Sequence, residues 1–141
     1  MFVLDTDLVT LLEEAHSSAS ERLAARLDRI PADEVMTTIV TYEEQTRGWL
    51  AYMARSKLLK QQVDAYRRLE RHVDFYRKIA ILPFDESAAT EFQRLKRLRV
   101  RVGTMDLRIA AVVLARGATL LSRNLADFRK VPGLAIADWS T

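Results

Sequence analysis

The stretch MFVLDTDLVTLLEE, residues 1–14, decides how the rest of the chain reads. Phe2, Val3 and Leu4 form a short, apolar, β-favouring run, and the leucine-rich segment behind them reads as a helix. Asp5 therefore falls at the carboxyl end of a first strand, where open α/β sheets gather their ligands. Equally, Asp7 favours a first helical turn through the helix dipole, and Asp5 then only marks the strand exit. Which description applies depends on the segments that follow.

Strand and helix alternate through all of them. SSASERLAARLDRI, residues 17–30, carries a capping box, Ser18 with Glu21, and apolar positions at helical spacing before Pro31 ends the helix. EVMTTIV, 34–40, is β-branched and predicts a second strand, with a helix from about Thr41 past Trp49. Leu59, Val63, Tyr66, Leu69, Val73 and Tyr76 recur every three or four residues, which predicts a long amphipathic helix and, with the one before it, a helical hairpin. IAILPF, 79–84, is a third strand, and Asp85 caps a helix to about Leu98. RVRVG is a loop, TMDLRIAAVVLARG a helix ended by Gly117, and ATLLS and LAIA (134–137) are the last two strands. This order predicts a parallel sheet of four to five strands between helices, in one domain spanning 1–141.

Composition narrows the function classes. A content of 49% hydrophobic and 29% charged residues is that of an ordinary soluble protein, and no window approaches the roughly 18 apolar residues of a membrane span. With no secretory signal pattern, a cytoplasmic location is expected. The absence of cysteine excludes disulfides and thiolate metal sites, and only His16 and His72 offer imidazole. Neither has a second histidine beside it, so both read as surface or packing residues. The net charge of +3 is unevenly spread: Arg47 to Lys78 holds nine basic residues against three acids, and Arg94 to Arg108 six against one. Such faces suit a polyanion, although solvated helix faces carry similar runs.

Four acids fall where a parallel sheet would collect them: Asp5, Glu44 after the second strand, Asp106 opening a helix, and Asp127 just beyond the fourth strand. Singly, each has a local explanation. Thr41 and Glu44 match a capping box, Asp106 suits a first turn capped by Thr104, and Asp127 suits a turn. Together they point into one crevice. Two carboxylates about 4 Å apart repel by roughly 4 kcal/mol at an effective dielectric near 20, so a cluster calls for a cation. Oxygen ligands without thiols select Mg²⁺ or Mn²⁺, which activate water and stabilise charge on a phosphodiester. Glu43, about 100° around the helix from Glu44, reads as a surface acid.

These segments resemble the PIN-domain proteins of the VapC toxin type. VLDTD is similar to that family's opening strand and first acid, TTIVTYEEQTRG to its second motif with Glu44 four residues before Gly48, and GTMDLRIAA to its third with Asp106. TLLSRNLADFRKVPGLAIADW resembles its C-terminal signature. The resemblance implies a PIN-like three-layer α/β/α sandwich with a helical hairpin insertion. It also implies a Mg²⁺- or Mn²⁺-dependent endoribonuclease, an RNA substrate such as tRNA or another structured RNA, a cognate antitoxin and a homodimer. Asp5, Glu44, Asp106 and Asp127 become the expected catalytic and metal-holding residues, with Asn124 as the alternative fourth group. Ser122 and Thr6 are expected beside them, and Asp7 is left as a helix-start residue that at most supports the site from behind.

Arg99, Arg101 and Arg108 flank the third motif and are candidates for phosphate contacts, or for pairing with the acids. Trp49, Tyr52, Tyr66 and Tyr76 either stack bases or belong to a core or dimer seam. Two other functions fit parts of the sequence. DTD resembles the nucleophile and acid of haloacid-dehalogenase-type phosphatases, which also need a later paired-acid motif. A non-catalytic module binding RNA or a partner would use the same acids as helix caps.

Overall fold

The alternating pattern folds into five parallel strands in the order β3-β2-β1-β4-β5, described for residues 1–141 in a computed structural model. The strands are β1 (Phe2–Leu4), β2 (Val35–Thr38), β3 (Ala80–Leu82), β4 (Thr119–Leu121) and β5 (Ala135–Ala137). The helices are α1 (Thr6–Glu14), α2 (Ser18–Leu27), α3 (Ile39–Arg55), α4 (Leu59–Arg77), α5 (Glu86–Arg97), α6 (Thr104–Arg116) and α7 (Leu125–Phe128). Strand β1 is central, with Leu4 level with Thr37 of β2 and Leu121 of β4. The chain therefore leaves β1, β2 and β4 at one edge, and Asp5, Ile39 and Ser122 start that edge.

Successive strand residues face opposite layers. Val3, Met36 and Leu120 enter the larger core with Leu107, Ile109 and Val113 of α6, Leu95 of α5 and Phe128 of α7. Leu4 and Leu121 enter the other, with Leu8 and Leu23 of α1 and α2 and with Phe75 and Tyr76 of α4. Helices thus cover both faces of the sheet, the three-layer sandwich expected.

Several local expectations shift. Strand β2 stops at Thr38 rather than Val40, because Thr38 Oγ1 accepts the Thr41 amide at 3.0 Å and starts α3 two residues early. Cap satisfaction outweighs the β preference of Ile39 and Val40. The Thr41 to Glu44 capping box is therefore absent. In α2 the box is Ser17 with Ser20, not Ser18 with Glu21, and α6 is preceded by Gly103 without a side-chain cap. The stripe on α4 is not core: Leu59, Val63, Tyr66 and Val73 are exposed, while Ala65 and His72 point inward. Buried His72 is a packing residue, its Nε2 3.0 Å from Thr46 Oγ1 and its Nδ1 3.3 Å from Glu13 Oε1.

No helix is long and apolar enough to cross a membrane.

Candidate active site

Asp5 leaves β1 in extended conformation and becomes the N-cap of α1. Its Oδ1 accepts the Thr6 amide at 2.8 Å, and its Oδ2 accepts the Ser122 hydroxyl at 2.7 Å. Ser122 follows β4, and its own Oγ accepts the Asn124 amide at 2.9 Å, so the loop after β4 is tied to the loop after β1. Asp5 is only 5% exposed. Burial, then the neighbouring Asp7, pushes its carboxyl up to about 8, and the Ser122 and Thr6 donors only partly offset this.

Asp7, two residues on, belongs to the same site. Its Oδ2 accepts the Arg123 amide at 3.2 Å, while its Oδ1 is buried with no hydrogen-bond partner. Burial raises this carboxyl as well. The sequence reading gives Asp7 the helix start and at most a supporting place behind the site. The missed signal is the spacing: an N-cap residue and the residue two positions later share the amino-terminal rim of one helix.

Glu44 arrives from α3, one turn and a half past its cap. The Thr6 hydroxyl donates to Glu44 Oε1 at 2.7 Å and lies 3.2 Å from Thr41 Oγ1, so Thr6 clamps α1 to α3 beside Asp5. Asp106 sits in the first turn of α6. It is raised by burial and then by the fields of Glu44, Asp127 and Asp7.

Asp127, in α7, differs. Asn124 Nδ2 donates to its Oδ2 at 3.1 Å and Lys130 Nζ to its Oδ1 at 3.1 Å, and these two partners hold its carboxyl below the usual range. Asn124 and Asp127, the two candidates for the fourth group, are thus hydrogen-bonded to each other.

Arg99 and Arg101 are exposed beyond α5, and Arg108 lies over the Phe92 ring at 5.7 Å. None of the three pairs with an acid. Lys130 pairs with Asp127 and the Arg123 charge acts on Asp7, and the sequence reading singled out neither. Glu43 pairs with Arg47 at 2.6 Å on the surface, as its helix angle predicts.

As the side chains lie, no three acidic or imidazole groups stand close enough together to enclose a cation. The donors nevertheless fit a hard divalent ion. They are all oxygen, Asp7 Oδ1 is buried without a partner, and Asp5 and Asp106 carry charge that burial and neighbouring acids oppose.

The chain is 25% identical over 143 residues to Ribonuclease VapC1 of Haemophilus influenzae strain R2866, which covers 99% of this chain and 98% of that protein. The solved structure of VapBC-1 from nontypeable Haemophilus influenzae aligns with a TM-score of 0.78 at 21% identity, over 99% of this chain and 98% of that one. VapBC-5 from Mycobacterium tuberculosis, a member of the VapBC family of toxin-antitoxin systems, aligns at 0.59 and 27% identity over 96% and 94%. The family model described as PIN domain matches residues 2–134, a span that contains every acid of the crevice, and the chain therefore belongs to the PIN domain family.

Proposed function

We propose that this chain, as a single PIN domain over 1–141, is the toxin of a VapBC-type pair: a Mg²⁺- or Mn²⁺-dependent endoribonuclease that hydrolyses phosphodiester bonds in RNA. The observation that carries this reading is the Thr6 link: its amide bonds Asp5 behind the central strand and its hydroxyl bonds Glu44 of α3, so acids from separate segments meet at the carboxyl end of the sheet. Asp5, Glu44, Asp106 and Asp127, with Asp7 beside them, would hold the cation. When bound, a divalent ion lowers the pKa of water and stabilises developing negative charge on the phosphodiester.

The chain's own residues fix the geometry around it. Ser122 and the Thr6 amide hold both oxygens of Asp5 in place, and the Thr6 hydroxyl does the same for Glu44. Lys130, paired with Asp127 at the rim, is placed to attract an incoming phosphate. Family membership displaces the phosphatase alternative suggested by DTD. The VapBC naming of the relatives supports a cognate antitoxin, and the exposed stripe Leu59, Val63, Tyr66 and Val73 supplies a surface for a homodimer. An RNA target accords with a cytoplasmic location.

The test is cleavage of RNA by purified protein in Mg²⁺, Mn²⁺ or EDTA, with Asp5→Asn, Glu44→Gln and Asp106→Asn alongside wild type. Cleavage that needs the ion and all three acids supports the reading. RNA binding that is indifferent to EDTA, without cleavage, would select the non-catalytic module instead.

A further inference from the structure

A cleft of about 370 Å³ opens beside the acid crevice and shares Thr6 and Glu44 with it. It continues along α3 past Gly48, Trp49 and Tyr52 to Arg55. Glu44, Gly48, Tyr52 and Arg55 follow at spacings of four, four and three, so they lie on one helix face, spread over roughly 16 Å.

Each wall is fixed in place. Tyr52 OH donates to Asp64 Oδ2 at 2.9 Å, and Arg68 Nε reaches the same oxygen at 3.0 Å. The Arg68 guanidinium lies 5.6 Å from the Trp49 ring centre and 5.1 Å from that of Tyr52. Trp49 also borders a second cavity, which contains Arg68. Arg68 therefore supports the aromatic pair from that second cavity, while Trp49 and Tyr52 also line the cleft. Arg55, at the far end, makes no ion pair and is exposed.

Gly48 is unexplained by the fold. Its backbone is helical, and an added Cβ would meet nothing within 4 Å. Glycine in a helix interior is unfavourable relative to other residues, and neither packing nor dihedral angles require it here. What it does is leave the floor of the cleft open, midway between Glu44 and Tyr52.

We propose that this cleft is a nucleotide subsite for single-stranded RNA next to the scissile phosphate. A base lies over Gly48 against Trp49 and Tyr52, and Arg55 binds a flanking phosphate. Acids at one end and an unpaired arginine at the other match a polyanion whose scissile group alone is met by the metal-holding residues. A sequence-tolerant aromatic surface places discrimination in base size and stacking. This inference rests on the ribonuclease reading.

The experiment uses full-length Asp5→Asn protein, which does not consume the probe, titrated with a fluorescein-labelled single-stranded RNA oligonucleotide. In a Trp139→Phe background Trp49 is the sole tryptophan and its emission reports on the cleft. RNA is expected to quench that emission. Arg55→Ala is expected to weaken binding about tenfold and to lower the slope of log affinity against log salt by about 0.7. Gly48→Leu is expected to raise the melting temperature while weakening binding, opposite signs that a purely structural glycine would not give. RNA binding with unchanged Trp49 emission, or equal affinity in Arg55→Ala and Gly48→Leu, overturns the subsite while leaving the nuclease intact. Quenching by the antitoxin alone also overturns it. If wild type neither binds nor cleaves RNA, the ribonuclease reading itself fails.

Discussion

Asp5 and Ser122, 117 residues apart in the chain, meet through a 2.7 Å hydrogen bond at the ends of neighbouring strands β1 and β4. The bond does two things. It fixes the acid's orientation, and it is the largest influence lowering a carboxyl that burial raises.

Ser122→Ala removes that donor from a buried, charged acceptor. Unfolding in denaturant at pH 9, where Asp5 is ionised, should show a loss of about 1.5–3 kcal/mol. At pH 5, where Asp5 is protonated, the loss should be smaller. An equal loss at both pH values would mean that Ser122 does not support the charged form.

Metal-free protein should lose stability as pH rises from about 4 to 8. A carboxyl of ordinary value 3.8 in the unfolded chain and about 8 in the fold takes up a proton on folding across that window, so rising pH disfavours the native state. Melting temperatures in EDTA from pH 4 to 9 should fall more steeply for wild type than for Asp5→Asn. Parallel curves would contradict the raised value.

Thr6→Val leaves Glu44 without its 2.7 Å donor, while Thr6→Ser keeps a hydroxyl there. Cleavage by the valine variant should drop about tenfold and the serine variant should stay within about threefold of wild type. Equal loss in both would point to packing rather than the hydrogen bond.

A polar seam behind the crevice should contribute to stability. Tyr76 OH donates to Gln45 Oε1 at 2.6 Å, and Gln45 Nε2 donates to Thr10 Oγ1 at 3.1 Å, linking α4, α3 and α1. Gln45→Leu leaves the Tyr76 hydroxyl without its partner, while Thr10 keeps its bond to the Thr6 carbonyl, and should cost about 1–3 kcal/mol in chemical denaturation. A neutral result would show the seam to be incidental.

The strands and their parallel arrangement were legible because each depends on local pattern, apolar runs and β-branching, and the place of Asp5 because it stands directly behind such a run. Boundaries that rest on which of two hydroxyls caps a helix were not. Thr38 rather than Thr41, and Ser17 rather than Ser18, are selected by the amide each reaches. The closeness of Asp7 to the site was under-read for a related reason. Its place depends on the Arg123 amide folding back across the crevice, a contact spanning 116 residues. The stripe on α4 stayed open between core and dimer seam because periodicity shows that a face is apolar without saying what covers it. Leu59 and Tyr66 face outward while His72 is buried, the reverse of their hydropathies.

The most direct test of the central claim is the rate of RNA cleavage by Asp5→Asn relative to wild type in saturating Mn²⁺, with folding of both checked by melting. The substitution removes one buried charge and keeps the shape, so the variant should melt at or above wild type in EDTA. Its cleavage should be at least about a hundredfold slower, because an acid that holds the ion and orients water has lost its charge. Cleavage at the wild-type rate by a well-folded, nuclease-free preparation would contradict the assignment of this crevice as the catalytic centre.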